Sequence, residues 1–373
     1  MPIRCQQKDR RGRKVCLSDC PTVAEPAVFR YRRVEQAEEV PPPEDRMVDV
    51  AILDMNHGWP NLGHDSLVYA IRDAVCDLTA ELASAGLSVR ALSYDVRRRG
   101  VIPESPNGRF SLYVGTGGPG HLDPLNNDGV SPGSQGIHEN PSWKAPVFRL
   151  FSAIMEAPEA ALLAVCHSFG VLCLWSGVAR PVLRGPEKGG KSSGLLENIL
   201  TLEAAAHPWF RRFAAQLPGD GRLRVVENRL FDLIPEKSFP AGLIPIGYDT
   251  RGVGGPRGEA ITMLEFARDR GGVMPRVFAV NHHPEIVDRE WQRLVLRQKL
   301  ERGEVTRQWY AERVRVLTQT YPDENSDERI HLTSDYTLLA PLRFHLYRQI
   351  RLRAEALGQE VDVHEDRVTE SAA

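Results

Sequence analysis

The stretch AALLAVCHSFGVLCLWSGVA, residues 160–179, joins two apolar runs at a single cysteine followed by a histidine and a serine. The first run, 160–166, is short and apolar throughout, which is typical of a buried strand. The second, 167–179, predicts a helix. A cysteine at such a junction is either a small core residue or a nucleophile presented on a sharp turn, where the helix N-terminus favours its thiolate form. The interpretation of the whole chain therefore depends on Cys166.

Strand and helix patterns alternate on both sides of this junction. Strands are predicted over 48–56, 87–95 and 109–120, the last ending in a glycine-rich turn, and helices over 65–86 and 144–157. Further short strands are predicted between 180 and 280, followed by helices over 288–318 and 338–357. This order predicts an α/β fold with a mostly parallel, doubly wound sheet.

The composition is that of an ordinary soluble protein. Of 373 residues, 42% are hydrophobic and 26% are charged, and the net charge is −2. That charge gives no general attraction to nucleic acid or to anionic lipid. No apolar run is long enough to span a membrane, and no secretory signal is evident. We expect a cytoplasmic protein without membrane or nucleic-acid partners.

The chain divides into three predicted parts. Residues 1–46 form an arm that ends in the proline-rich linker EEVPPPEDR, residues 47–287 form the α/β domain, and residues 288–373 form a helical extension with a polar tail. The arm carries Cys5, Cys16 and Cys20, whose spacing matches no standard metal site. Free thiols are favoured there, and no metal or organic cofactor is expected for the chain.

Three predicted strand ends carry unusual residues. They are TGGPG (116–120), the junction at Cys166, and HHPE (282–285). Ligands of open α/β sheets bind beyond the carboxyl ends of the strands. A thiol, an imidazole, a carboxylate and glycine N–H groups that can face an oxyanion are the set needed for covalent acyl transfer.

At these three motifs the chain resembles the class I glutamine amidotransferase family, over roughly residues 47–290. That family has a glycine-rich oxyanion strand, a nucleophile elbow and a terminal H-P-E, matched here in the same order. The resemblance implies that Cys166 is the nucleophile, His283 the general base and Glu285 the carboxylate that orients it. It also implies an oxyanion hole formed by the backbone N–H groups of Gly118 and His167.

Two elbow residues depart from the family pattern. Ser168 stands where the family has a glycine, and Gly170 stands where it has a glutamine that helps to hold the substrate. We therefore expect an amide or γ-glutamyl substrate bound in an altered pocket, with hydrolysis or transfer through a Cys thioester. The residues expected to bind that substrate are Gly117, Ser168, Gly170, Asn56 and His57.

Several alternatives stay open at this point. The segment GPEKGGKS (185–192) matches the P-loop pattern, but a basic, glycine-rich loop near the active site is favoured over nucleotide binding. A separate synthetase subunit would be needed to accept ammonia, and the C-terminal helices could form a homo-oligomer. The alternative function is a non-catalytic, amidotransferase-like binding or regulatory subunit.

Overall fold

The computed structural model describes residues 6–8, 14–16, 28–106, 108–252, 254–318, 326–363, 365 and 368. Cys5 and Cys20, and nearly half of the predicted arm, lie outside the described residues.

The strands, in chain order, are β1 Gln6–Lys8, β2 Lys14–Cys16, β3 Phe29–Val34, β4 Met47–Asp54, β5 Ser88–Asp95, β6 Phe110–Gly115, β7 Ala161–Val165, β8 Ala179–Leu183, β9 Ser192–Leu200, β10 Arg222–Arg229, β11 Phe231–Pro235, β12 Ile244–Thr250, β13 Arg257–Arg268 and β14 Pro275–Val280. The helices are α1 Leu62–Cys76, α2 Thr79–Ala85, α3 Val96–Arg99, α4 Lys144–Glu156, α5 His167–Ser176, α6 Leu202–Ala206, α7 Phe210–Gln216, α8 Arg289–Glu301, α9 Arg307–Thr318, α10 Ser326–Ser334 and α11 Ala340–Ala356. A π-helical segment, Asp335–Leu339, joins α10 to α11.

The main sheet has ten strands in the order β10-β9-β12-β13-β14-β7-β6-β4-β5-β3. The strands from β14 to β3 pair in parallel, whereas β10, β9, β12 and β13 extend the sheet with antiparallel pairs. The predicted α/β class with a large, mostly parallel sheet is confirmed. The antiparallel part comes from the short strands expected between 180 and 280. Strands β1 and β2 pair with each other, as do β8 and β11.

The sheet is covered on both faces, which explains its apolar strands. Every residue of β4 is buried. Val50 and Ile52 belong to one hydrophobic cluster, whereas Ala51 and Leu53 belong to another. Because successive side chains of a strand point to opposite faces, two cores form, one on each side.

Residues on both sides of the predicted domain take part in this architecture. Strand β3, from the predicted arm, pairs in parallel with β5, and its Phe29 and Val34 are buried. In the predicted extension, Leu342 and Ile350 of α11 are fully buried in the same cluster as Val50. The structure thus places both flanking segments against the main sheet. In the described part of the chain, no helix is long and apolar enough to cross a membrane.

Candidate active site

Cys166 lies at a strained junction between β7 and α5. Its backbone has φ 50° and ψ −100°, a conformation that costs a non-glycine residue about 1–3 kcal/mol. The strain is held by the sheet, because Val165 pairs with Val280 and the Cys166 N–H donates to the Val280 carbonyl at 2.7 Å. This is the sharp strand-to-helix turn that exposes a nucleophile at the end of a strand.

The same pairing brings His283 to the cysteine. Strands β7 and β14 are parallel neighbours, so the residues that follow Val165 and Val280 leave the sheet at the same edge. The His283 N–H donates to the Val226 carbonyl at 2.8 Å, which anchors the turn. A Cβ added to Gly117 would lie 3.0 Å from Cε1 of His283 and 3.5 Å from Cβ of Cys166. Cys166 and His283 therefore both lie against the glycine turn.

Glu285 orients the imidazole. Its Oε1 lies 2.7 Å from Nδ1 of His283, and both side chains are buried. Burial alone would lower the pKa of His283, but the negative charges of Glu285 and Cys166 outweigh it and raise the pKa to about 10. Nε2 of His283 has no well-aligned hydrogen-bond partner among the described residues. Among the described residues, no hydrogen bond fixes that nitrogen, in contrast to Nδ1.

His282 has a different environment from His283. Its Nε2 lies 3.2 Å from Oγ1 of Thr337, in the π-helical segment. Burial and the charge of His283 lower its pKa to about 3, so it stays neutral at physiological pH. The C-terminal helices also hold this turn through Ser334, whose hydroxyl donates to the Pro284 carbonyl. The structure pairs Glu285 with His283 and packs His282 against the helices.

The glycine turn after β6 is held in place by its backbone. A Cβ on Gly118 would lie 2.1 Å from the Met55 carbonyl oxygen, so only glycine fits there without a backbone shift. Among the described residues, the backbone N–H groups of Gly118 and His167 donate to no carbonyl oxygen of a turn, loop or cap. His167 is the first residue of α5, where N–H groups lack intrahelical partners. Both N–H groups remain available for an oxyanion. The His167 ring itself is buried, and burial holds its pKa well below the usual range.

A buried ion pair, not anticipated from the sequence, clamps this turn. Arg97 donates to both carboxylate oxygens of Glu139 at 2.7 and 2.8 Å, and neither side chain is exposed. Its Nη1 donates to the carbonyls of Pro119 and Met55 at 2.6 and 2.8 Å. Arg97 thus fixes the loop that follows β4 and the glycine turn relative to each other.

The two departures from the family pattern are both packed inside the protein. Ser168 is buried, and its hydroxyl donates to the Thr116 carbonyl at 2.7 Å. A Cβ on Gly170 would lie 2.4 Å from Cδ1 of Leu122. Neither residue is among the described residues that line the cavity at Cys166. Ser168 and Gly170 therefore affect the elbow through their packing inside the protein.

Asn56 and His57 lie beside the glycine turn. Nδ2 of Asn56 donates to Oδ1 of Asp54 at 2.6 Å, which ties Asn56 to the end of β4. His57 has a positive φ of 54°, and burial and the charge of Arg97 lower its pKa. These residues support the loop, and the described cavity lining does not include them or Gly117.

A cavity of about 290 Å³ opens at the thiol. Besides Cys166, His167 and His283, its lining includes Trp59, Asn61, Gly118, Gln135, Lys191, Asn228, Arg229, Phe231, Asn281, Trp309, Glu312 and Arg313. Trp309, Glu312 and Arg313 belong to α9, from the predicted extension. Lys191 belongs to the loop between β8 and β9. The sequence predicts a basic loop near the active site, and Lys191 comes from that loop. No pattern in the sequence predicts that α9 also lines the cavity.

The segment GPEKGGKS does not have P-loop geometry. A P-loop precedes a helix, whereas strand β9 begins here at Ser192 and pairs in antiparallel fashion with β10. The basic loop brings Lys191 to the cavity instead. No group of three or more potential metal-ligating side chains occurs within the described ranges.

No protein-family model and no curated protein matches the chain. Among solved structures, it is similar to a candidate component of a GMP synthase from Thermoplasma acidophilum, with 13% identity, a TM-score of 0.36, and coverage of 64% of this chain and 85% of that chain. It is also similar to a candidate ThuA-like protein from Bacteroides uniformis, with 6% identity, a TM-score of 0.33, and coverage of 65% and 86%. Likenesses this weak establish neither a family nor an activity.

Proposed function

We propose that this protein is a cysteine-dependent amidase or amidotransferase that cleaves an amide or γ-glutamyl substrate through a thioester. The observation that carries the proposal is the arrangement around Cys166. Cys166 lies on a strained elbow beside the imidazole of His283, and Nδ1 of that ring is 2.7 Å from the buried carboxylate of Glu285. The resemblance to the class I glutamine amidotransferases supports the same assignment of roles.

The chemistry follows from the charges of the three groups. His283 takes the thiol proton, and the thiolate attacks the carbonyl carbon of the substrate. The oxyanion that forms is stabilised by the N–H groups of Gly118 and His167. The C–N bond then breaks as the His283 imidazolium gives its proton to the leaving nitrogen, which departs as ammonia or an amine. Glu285 keeps the ring in the required tautomer and stabilises its charge.

The thioester is resolved by water or by another nucleophile. His283 removes a proton from the incoming group, the C–S bond breaks, and the thiol is restored with an acid or a transferred acyl group as product. If ammonia is the useful product, it is taken up by a separate synthetase subunit. No organic cofactor enters these steps.

Covalent labelling tests the proposal. Wild-type protein and Cys166→Ala are exposed to a glutamine-like chloroketone and to iodoacetamide, and the intact mass and the labelled peptide are measured. We expect Cys166 to be labelled at a rate well above that of an ordinary thiol. Excess glutamine protects Cys166 only if the pocket accepts glutamine.

Two other cysteines serve as internal controls. Cys76 is an exposed free thiol, and Cys173 is buried with its pKa raised by burial. Cys76 reports the reactivity of an exposed thiol whose pKa is raised by partial burial, and Cys173 reports loss of structure. A Cys166 that is no more reactive than Cys76 in folded protein would contradict the enzyme and favour the non-catalytic binding subunit.

A further inference from the structure

We propose that the cavity beside Cys166 binds an anionic group of the acyl donor, a carboxylate or a phosphate, through Lys191 and Arg313. This inference rests on the proposed function, because it names the class of substrate that the thiol attacks. The anion belongs to the part of the donor that does not react.

The charges that line the cavity are unbalanced. Three cationic side chains face it, Lys191, Arg229 and Arg313, against one carboxylate outside the triad, Glu312. A cavity lined mainly by one sign of charge concentrates ligands of the opposite sign. A neutral donor would leave Lys191 and Arg313 with only Glu312 and Cys166 as nearby negative groups.

Arg229 already has its counter-charges. It is buried, and carboxylates of Glu227, Asp232 and Asp249 lie 3.4 to 3.6 Å from its guanidinium. None of the three acids is among the described lining residues of the cavity. The charge of Arg229 is therefore neutralised, and the excess positive charge in the cavity comes from Lys191 and Arg313.

Lys191 and Arg313 are weakly paired. Within the described residues, Lys191 forms no hydrogen bond or ion pair, and Arg313 meets only Glu312, at 3.7 Å, beside the Trp309 ring at 5.0 Å. The side chain of Lys191 is exposed overall, and desolvation by the surrounding protein, together with the charge of Arg313, lowers its pKa. Burial likewise lowers the pKa of Arg313. A bound anion would relieve the repulsion between the two cations.

The two cations come from segments outside the elbow and the glycine turn. Lys191 lies in the loop before β9, and Arg313 lies on α9. Leu317 of α9 is buried in a small cluster with Leu62 and Leu296, which fixes the helix beside the site. These two segments thus add an anion subsite to a nucleophile that the sheet positions independently.

A pair of small alkylating reagents tests the subsite without knowledge of the donor. Iodoacetate and iodoacetamide react with the same thiolate and differ in charge, so the ratio of their rates at Cys166 is independent of the thiol's ionisation. We expect the iodoacetate to iodoacetamide ratio to exceed that of 2-mercaptoethanol. Lys191→Gln and Arg313→Gln should each lower it about tenfold, the effect of removing one nearby charge from a partly buried site.

The chain offers matched controls. Lys188 lies in the same loop but pairs with Asp232 at 3.1 Å, and Arg315 is exposed on α9. Lys188→Gln and Arg315→Gln should leave the rate ratio at Cys166 unchanged. None of the four variants should change the rate ratio measured at Cys76. A Cys166 that reacts with both reagents at the ratio of 2-mercaptoethanol, unaffected by either variant, would overturn the subsite but not the nucleophile. A folded protein whose Cys166 reacts with neither reagent would overturn the proposed function itself.

Protection distinguishes the two anions. Glutarate and inorganic phosphate are added separately to the iodoacetamide reaction of wild-type protein and Lys191→Gln. Stronger protection by glutarate identifies a carboxylate donor, and stronger protection by phosphate identifies a phosphorylated one. Protection by neither, or protection that is equal in Lys191→Gln, would count against the subsite.

Discussion

Leu122 fills the space beside Gly170: a Cβ on residue 170 would lie within 2.4 Å of Leu122 Cδ1. Gly170 is the position at which the class I glutamine amidotransferases carry a glutamine on the nucleophile helix. Leu122, in the loop after β6, lines the cavity at Cys166. Leu122 therefore occupies the space that a side chain at position 170 would need.

A glutamine at position 170 should therefore destabilise the protein. Gly170→Gln forces Leu122 out of a buried position, and overpacking of this kind costs about 1–3 kcal/mol. In the double variant Leu122→Ala, Gly170→Gln the clash is removed, so the loss should be clearly smaller than the sum of the single losses. Urea unfolding of the wild type, both single variants and the double variant measures the coupling. Additive losses would show that the two residues do not compete for space.

The motifs that build the site can be recognised from the sequence because each follows a strand. Apolar runs locate the ends of β6, β7 and β14, and parallel pairing places those ends at one edge of the sheet. Cys166, His283 and Gly117 can therefore be expected to meet. The choice of His283 over its neighbour His282 rests on the resemblance, and the structure pairs His283 with Glu285.

The surroundings of the site could not be predicted in this way. Arg97 and Glu139 are distant in sequence, and the run of three arginines at 97–99 gives no sign of the buried pair that one of them forms. Arg313 lies on an arginine-rich helix, a composition that is typical of a solvated helix face. These contacts depend on tertiary packing between segments far apart in the chain, for which local periodicity carries no information.

The raised pKa of His283 predicts a pH-dependent stability. Folding raises this pKa from about 6.5 to about 10, so the fold favours the charged ring. The resulting stabilisation is fully present below about pH 6.5 and is lost as the pH rises through 10. Glu285→Gln removes the main charge that raises this pKa. The difference in unfolding free energy between wild type and Glu285→Gln should therefore shrink by more than about 1 kcal/mol between pH 6.5 and pH 10.

An exposed carboxylate provides the control. Glu290 is largely exposed and lies 3.1 Å from Arg293, so Glu290→Gln should change the unfolding free energy little at either pH. A wild-type advantage over Glu285→Gln that is constant or grows toward pH 10 would show that His283 is not held in its charged form.

The Arg97–Glu139 pair should matter for both stability and turnover. Arg97→Met leaves a buried carboxylate without its partner, which costs about 3–5 kcal/mol, and adding Glu139→Gln should recover part of that loss. Arg97→Lys keeps the charge but cannot bond Glu139 through two nitrogens while also holding the carbonyls of Pro119 and Met55. We expect this variant to hydrolyse an activated aryl ester about tenfold more slowly while Cys166 reacts with iodoacetamide at the wild-type rate. Equal losses in both reactions would indicate a general structural role.

Gly118→Ala tests whether the glycine turn supplies an oxyanion donor. The added Cβ would lie 2.1 Å from the Met55 carbonyl oxygen, a backbone atom that cannot step aside as a side chain does. The turn must therefore shift, and the Gly118 N–H moves from the position at which an oxyanion forms. We expect aryl ester hydrolysis to fall by about 10²–10³-fold, the usual cost of one lost oxyanion donor. Alkylation of Cys166 by iodoacetamide, which forms no oxyanion, should persist and report that the elbow is intact.

Gly219→Ala is the matched control, because no atom lies within 4 Å of its added Cβ. If Gly118→Ala hydrolyses the ester at the wild-type rate, the Gly118 N–H is not an oxyanion donor.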